Sequence, residues 1–317
     1  MANMTIGIDI SGGDNAPSAI LSGALLAIAE LPEDTSISLI GNEAEILPFI
    51  ENQSAQYKSR FKVVHAPSAI GMGEHPTKAF ASKQDSSIAI GFNLLAEGQI
   101  DAFASAGNSG AMLVGAHYTI KMIVGVIRPC IASVLPKEDG SVGIILDVGI
   151  NADCKPETLQ QFAVMGALYA EMVCGISNPK VGLLNIGEEE GKGNVLAQST
   201  YPLLKASPEF NFIGNIEGRD LFNQKADVIV CDGFTGNVVL KEAESFYRMI
   251  KKRGISDPYF DRFNYENYGG TPIIGVNGSV VIGHGISNDI AIKNMLLHSH
   301  EVAKSNLAEK VKKAFQV

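Results

Sequence analysis

The chain of 317 residues predicts an α/β protein, a helix-sheet-helix sandwich built on a mostly parallel sheet. Three observations carry that prediction. Short apolar runs alternate with helical patterns along nearly the whole length, an order that gives parallel strands covered by helices. Several runs are continuously apolar, as strands buried on both faces are. The composition, 46% hydrophobic with 33 glycines, is ample for a large core in one big domain or two closely joined lobes.

The elements follow in order. Thr5–Ile10 (TIGIDI) opens as a strand and leads to a helix over Ala16–Glu30. Strands at Ser36–Ile40 and Phe61–Ala66 precede a helix at Asp85–Glu97, and Asp101–Ser105 feeds a helix at Ser109–Met122. Cys130–Leu135 and Val142–Val148 read as strands, followed by a helix over Pro156–Cys174. Lys180–Ile186, Phe210–Ile216 and Asp227–Asp232 are further strands, the last entering a helix at Thr235–Lys252, and Gly278–Gly283 is the tenth strand. Ten strands exceed one doubly wound unit. A single domain over residues 1–317 is expected, with a smaller second lobe or antiparallel extension dividing from the first near residues 123–150. No repeat, low-complexity segment or linker interrupts it.

Composition excludes several function classes. A formal charge of -9 argues against nucleic acid, whose phosphate backbone wants a basic face. Cys130, Cys154, Cys174 and Cys231 are widely spaced beside apolar residues, which reads as reduced, buried thiols. The N-terminal MANMTIGIDI lacks the basic region and apolar core of a signal peptide, and no stretch reaches the roughly 18 apolar residues of a membrane span. A cytoplasmic protein is expected, with attachment at the inner face of the membrane left open.

Chemistry is expected in the loops beyond the carboxyl ends of the strands, where parallel sheets bind ligands. Seven such loops combine glycine with Asn, Asp, Ser or Thr: Asp9–Pro17, Ser105–Ala111, Asp147–Pro156, Asn185–Asn194, Glu217–Asp220, Cys231–Asn237 and Gly283–Asp289. SAGNSGA (Ser105–Ala111) is the best anion seat. Its glycines let backbone N–H groups approach a ligand, and Asn108 and Ser109 add donors at the start of a helix, a place that also calls for an ordinary N-cap. In NIGEEEGKGN (Asn185–Asn194) only three residues separate Gly187 from Gly191, and Gly193 stands where a nucleotide P-loop has Ser or Thr. Glu188 to Glu190 also oppose a polyphosphate, so a nucleoside triphosphate is rejected. Lys192 is left to place one positive charge near a single phosphate, or the glutamates merely favour the start of a helix.

No complete G-x-G-x-x-G, H-E-x-x-H or G-x-S-x-G occurs, so no cofactor and no metal is expected. His298 and His300, two apart on a helix, face different directions and make a poor metal pair. His284, in a glycine loop after a strand, is a candidate donor or proton shuttle, or simply a loop histidine.

Taken together, GGDNAP (Gly12–Pro17), KQDSS (Lys83–Ser87), SAGNSGA, DVGINADCKP, NIGEEEGKGN, EGRD, CDGFTGN, YGGTPIIGVNG (Tyr268–Gly278) and HG followed by AIKN (Ala291–Asn294) resemble the bacterial phosphate acyltransferase family, the PlsX-type proteins of phospholipid synthesis. The likeness runs from about Gly7 to Asn294 with the motifs in order. It implies transfer of a fatty acyl group from acyl carrier protein to inorganic phosphate. It also implies a fold similar to phosphotransacetylases and isocitrate- or isopropylmalate-type dehydrogenases, a homodimer, and peripheral membrane contact. There a partner acyltransferase acting on glycerol phosphate would consume the product.

With phosphate as nucleophile, no Ser-His-Asp or Cys-His constellation is needed; positioning and oxyanion donors suffice. On that reading Ser105, Gly107, Asn108, Ser109 and Gly110 hold phosphate, with Lys192 adding charge. Lys192 or His284 stabilises the oxyanion or protonates the leaving thiolate, and Asn108 donates. Asp9, Asp14, Asn15, Asn151, Asn194, Asp232, Thr235 and Asn237 shape the pocket.

The sequence departs from the family at Ala81, Ser82, Lys83 and Gln84, where a basic run is usual, and at Asn288 and Ile290, where Asp and Lys are. The stretch between Asn237 and Tyr268 is short, but FYRMIKKRG (Phe246–Gly254) keeps four basic residues beside apolar ones, a pattern that suits anionic lipid, acidic carrier protein, or a solvated helix end. Competing readings are an acyltransferase using short-chain coenzyme A esters, a metal- and NAD-dependent hydroxyacid dehydrogenase, and a non-catalytic carrier-binding scaffold.

Overall fold

A computed structural model describes residues 4–316; the first three residues of the N-terminal stretch read for a targeting signal lie outside them. In chain order the strands begin with β1 (Met4–Asp9), β2 (Thr35–Gly41), β3 (Phe61–His65), β4 (Ala102–Ser105), β5 (Cys130–Pro136) and β6 (Val142–Leu146). They continue with β7 (Lys180–Leu184), β8 (Asn211–Ile216), β9 (Val228–Val230), β10 (Thr271–Ile274) and β11 (Ser279–Ile282). The chain forms two compact units. One runs to Met122 and resumes over Tyr265–Asn306; the other comprises Ile123–Asn264 and the chain from Leu307 on.

The first unit carries strands in the order β3-β2-β1-β4-β11-β10. All neighbours are parallel except β10, which runs antiparallel to β11. Period-two alternation assigns the faces. Ala102 and Ala104 of β4 join the core formed with Ile20, Ala24 and Ile28 of helix Ser18–Glu30 and with Ile292 and Met295 of helix Asp289–Lys304. Phe103, between them, points the other way and meets Phe92 of helix Ser87–Ala96 edge-on at 5.1 Å. Helices therefore cover both faces of this sheet. The first two helices touch closely at Gly23, where an added Cβ would lie 2.5 Å from the Ile292 Cβ.

The second unit orders its strands β5-β6-β9-β7-β8, with only the β5–β6 pair antiparallel. Its two faces follow the same logic. Leu146 and Val228 leave room for Gly166 of helix Pro156–Met172, where a Cβ would meet both at 2.7 to 2.8 Å. Ile145 and Ile229 face a core with Leu135, Ile216 and Leu221, onto which Val239 and Leu240 of helix Gly233–Lys252 pack.

Mixed α/β class and mostly parallel strands are thus as the sequence predicts. β10 is the strand it passes over, because Pro272 sits inside it and lacks an N–H for the ladder. The helix expected over Ser109–Met122 ends at Gly115 and widens into a π-helical turn over Ala116–Ile120. Asn277 closes that turn, its amide donating to the carbonyls of Ile120, Lys121 and Met122 at 3.0 to 3.2 Å. Among the described residues no helix is long and apolar enough to cross a membrane.

Candidate active site

In the first unit, β1, β4 and β11 end together, so the loops after Asp9, Ser105 and Ile282 share one edge. Asp9 is 1% exposed. It accepts hydrogen bonds from the Ser11 N–H at 2.9 Å and the Ser105 hydroxyl at 2.7 Å. Burial pushes its carboxyl above the ordinary value, and these donors pull it partly back. The Ser105 oxygen accepts in turn from Gly107 N–H at 2.9 Å. Gly12 rests on this turn so tightly that a Cβ would lie 2.7 Å from the Gly107 nitrogen. Asp14 donates its N–H to the Gly285 carbonyl at 2.7 Å, and the Asn15 amide donates to the carbonyls of Ile286 and Ser287.

Asn108 is the N-cap the sequence suggests, its oxygen accepting from Ala111 N–H at 3.0 Å. Its amide nitrogen is also engaged, donating to the carbonyls of Gly71, Met72 and Glu74 at 3.0 to 3.3 Å. Ser109 is exposed, and Gly110 meets Pro76 where a Cβ would be 2.3 Å away. His284 packs edge-on against Tyr265, ring centroids 4.9 Å apart. The polar groups of this edge are largely consumed in holding one another.

The second unit repeats the theme around Asp147, which has no exposure. One carboxylate oxygen accepts from Ile131 N–H at 3.0 Å. The other accepts from Asn151 N–H at 2.6 Å, the Asn151 amide at 2.9 Å and Ile150 N–H at 3.1 Å. This gathering of donors ends β6 at Leu146, two residues before the strand boundary expected from sequence. Burial raises the Asp147 carboxyl, with those N–H groups opposing it. Helix Gly233–Lys252 starts against the same loop, and glycine is required there: a Cβ on Gly236 would lie 2.0 Å from the Asp147 carbonyl oxygen. Asp232 caps the helix, accepting from the Thr235 N–H at 2.8 Å and its hydroxyl at 2.9 Å. The Asn237 amide donates to the Val148 carbonyl at 3.2 Å. All four cysteines are free thiols; burial is the main cause that pushes Cys154 up to about 11 and raises the buried Cys130 and Cys231 well above the ordinary thiol value.

The Asn185–Asn194 loop is pinned nearly residue by residue. Glu188 pairs with Lys225 at 2.6 Å and faces Arg219 at 3.7 Å, while Lys225 also reaches Asp220 at 2.9 Å. Glu190 pairs with Lys205. Both glutamates are held below the ordinary carboxylate value, chiefly by hydrogen bonds from those lysines. The Glu189 carbonyl accepts from the Asn215 amide at 2.9 Å. Gln198 donates to the carbonyls of Gly191 and Gly193, each at 3.0 Å, and Asn185 to that of Lys192 at 3.1 Å. Gly193 adopts φ +93°, and Asn194 caps helix Val195–Ala206 by accepting from Ala197 N–H at 2.8 Å. The Lys192 side chain is exposed and joins no ion pair among the described residues, its stem folding over Gly187. Two of the three carboxylates, Glu188 and Glu190, are therefore anchors for cations around the loop, and the loop presents one unpaired ammonium.

A cleft of about 320 Å³ opens beside this loop. Leu159, Leu183, Leu184, Leu196, Ala197 and Cys231 give it apolar walls. Asn185, Asn194, Asp232 and Thr235 contribute its polar atoms, and Ile186 stands at its lining while 81% exposed.

Of the residues singled out in the sequence, the second unit brings together Lys192, Asn194, Asp232 and Thr235 around the cleft and its loop, with Asn151 and Asn237 on the Asp147 turn. Asp9, Asp14, Asn15, Ser105, Gly107, Asn108, Ser109, Gly110 and His284 belong to the first unit. Sequence reasoning passed over Asp147, Asn185, Leu159 and Leu196, and the cations Lys205, Arg219 and Lys225. Asp147 had a signal, the same strand-ending aspartate as Asp9. The cations had none, since Lys225 meets Glu188 from 37 residues away.

A family model described as "Fatty acid synthesis protein" matches residues 4–253. A "Phosphate acyltransferase" of Dictyoglomus turgidum is 42% identical over 97% of this chain and 96% of its own length. One of Salinibacter ruber is 39% identical over 100% and 99%. Among solved structures, a phosphotransacetylase from Streptococcus pyogenes superposes with TM-score 0.68 at 15% identity, covering 96% of this chain and 94% of that one. A branched-chain phosphotransacylase from Enterococcus faecalis gives 0.64 at 15%, covering 95% and 99%. The structural likeness establishes the fold; the sequence likeness establishes kinship.

Proposed function

The chain belongs to the phosphate acyltransferase family and is thus an acyltransferase, and we propose that it moves a fatty acyl group from acyl carrier protein to inorganic phosphate. A phosphate oxygen attacks the thioester carbonyl carbon, the carbon–sulfur bond breaks, and the thiolate leaves to take up a proton. The products are an acyl phosphate, for use in phospholipid synthesis, and the free carrier thiol. Phosphate being the nucleophile, no acyl-enzyme ester forms.

The observation that carries this reading is the loop that pairs Glu188 and Glu190 with cations and leaves Lys192 unpaired. A lone ammonium suits one phosphate or one developing oxyanion, whose stabilisation is worth about a hundredfold or more in rate. Ser109, exposed at the start of its helix, is assigned to phosphate with the first-turn N–H groups. Asn108 is assigned no donating role, because its amide already serves three carbonyls. His284 is assigned to protonating the thiolate.

A homodimer and contact with the inner face of the membrane belong to the same reading. Phe246 and Met249, each about half exposed on the helix that ends in Lys251 and Lys252, support it. The short-chain coenzyme A alternative shares this chemistry and differs in donor, so both donors are compared in one assay.

The test is acyl phosphate formation by purified protein from loaded carrier and phosphate. Lys192→Ala is expected to lower kcat/KM for phosphate by about a hundredfold, with the melting temperature unchanged because the side chain is exposed. Unchanged phosphate affinity and turnover in that variant would remove Lys192 from the mechanism. A covalent acyl adduct that is a competent intermediate would remove direct attack.

A further inference from the structure

The geometry points to a second, separable element of substrate recognition: the cleft of the second unit is an acyl-chain subsite, in which Leu159 and Leu196 gauge the length of the donor's hydrocarbon. The inference rests on the reading above for the identity of the donor, and on the cleft itself for the class of group bound.

The lining selects its occupant by charge. It carries the Asp232 carboxylate and no Lys, Arg or His, so phosphate, a nucleotide or a free carboxylate would meet like charge there. Polar neutral groups find few partners as well: the Asn194 oxygen caps its helix, which leaves its amide nitrogen as the one uncommitted side-chain donor among the described residues of the lining. The Asn185 amide is committed at both ends, its oxygen accepting from Ile186 N–H at 2.8 Å and its nitrogen donating to the Lys192 carbonyl. The Thr235 hydroxyl donates to Asp232. An amide-rich arm such as the carrier's pantetheine would leave hydrogen bonds unmade against the leucine walls, which is costly wherever water is displaced. A saturated chain needs only the leucine walls.

The mouth supports the same occupant. Ile186, in the lining just beyond β7, is 81% exposed, and so is Val195, which lies outside the lining but between Asn194 and Leu196 in sequence. A chain leaving the cleft would cover such side chains.

The size of the cleft fixes what it measures. About 320 Å³ is at the small end of ligand cavities, which run from roughly 300 to 1,000 Å³. The cleft therefore takes the part of a long chain nearest one end, and the remainder passes out over Ile186. Donor affinity should rise about fourfold per methylene while the chain is short, the value of burying one CH₂, and level off once the cleft is full.

The experiment measures kcat/KM for butyryl, decanoyl and palmitoyl donors with three variants. Leu196→Trp occupies the cleft and should lower the decanoyl value at least about tenfold while moving butyryl less than about twofold. Leu196→Ala should move the levelling point to longer chains. Ile186→Asp sits at an exposed lip, so folding is untouched, and should weaken palmitoyl selectively. A chain-length profile identical in wild type and all three variants overturns the subsite.

Absence of acyl phosphate from wild type with every donor instead overturns the reaction. Calorimetric titration with decanol, a neutral probe that Asp232 does not repel, then decides the subsite alone. Binding that Leu196→Trp abolishes keeps it; no binding, or equal binding by both proteins, removes it.

Discussion

The carboxyl edges of the two units share one grammar and put it to different use. Each buries an aspartate at the end of a strand, Asp9 or Asp147, and wraps it with backbone N–H groups from a glycine-containing loop. Each caps the following helices with Asn or Asp: Asn108 in the first unit, Asn194 and Asp232 in the second. At the first edge, loops from β1, β4 and β11 close on one another until Gly12 touches the Gly107 backbone. The second edge, equally well bonded at Asp147, keeps a cleft of about 320 Å³ and an unpaired lysine beside it. The same residues thus serve as mortar in one place and as a frame in the other. What differs is how closely neighbouring loops approach, since the polar atoms of both edges are largely engaged.

That contrast breaks first at its glycines. An alanine at Gly12 would bring its Cβ within 2.4 Å of the Asp9 carboxylate and 2.8 Å of the Gly107 Cα, neither of which can move cheaply. Gly191, in the open loop, has nothing within 4 Å of a Cβ. Gly12→Ala is expected to cost about 3 kcal/mol and Gly191→Ala less than about 0.5 kcal/mol, read as urea unfolding midpoints. Equal costs would mean that the first edge is not closed.

Titration sharpens the contrast next. All six histidines, His65, His75, His117, His284, His298 and His300, lie in the first unit. Burial pushes His298 down to about 4 from 6.5. Its folded value lies below its unfolded one, so its neutral form contributes stability fully above pH 6.5, and this is lost as pH falls toward 4. The loss at pH 5 is about 2 kcal/mol. Hydrogen exchange at pH 5 against pH 7 should show the first unit opening before the second, and His298→Gln should flatten the difference. Both units opening together in wild type would refute the assignment.

How much of this was legible in the sequence follows from the range of the interactions. Strand–helix alternation is local, and so are the cap residues, so class, the strand order along the chain and the capped glycine loops beyond the strands could be read. Pro272 hid β10 because its missing N–H argues against a strand, even though its partner Val281 lies close by across a hairpin. Asn108 could be read as a cap, but not as a residue with nothing left to donate, since its partners Gly71, Met72 and Glu74 lie 34 to 37 residues away. The puzzle of Glu188 to Glu190 next to Lys192 had the same origin. Arg219 and Lys225 come from the far side of β8, so the sequence displays three carboxylates repelling phosphate where the fold pairs two of them, Glu188 and Glu190, with cations.

The smallest effect tests that last point most directly. The Lys225–Glu188 pair is partly exposed and contributes little to stability, but Lys225 also serves the buried Asp220, so Lys225→Met should cost about 1 kcal/mol and lower melting by a few degrees. Its consequence should appear in phosphate binding. Without Lys225, the Glu188 carboxylate keeps only the longer contact with Arg219 at 3.7 Å, and can compete for Lys192 and repel the substrate anion. The KM for phosphate should then rise about fivefold, the size of one charge interaction at a protein surface, with kcat changed little. Lys225→Arg should restore it. So should Glu188→Gln added to Lys225→Met, because the stray carboxylate is gone; a merely structural role for Lys225 would leave the double variant as impaired as the single. If the phosphate KM does not move in Lys225→Met, the glutamates are not anchors, and the second edge owes its unpaired lysine to something other than its neighbouring cations.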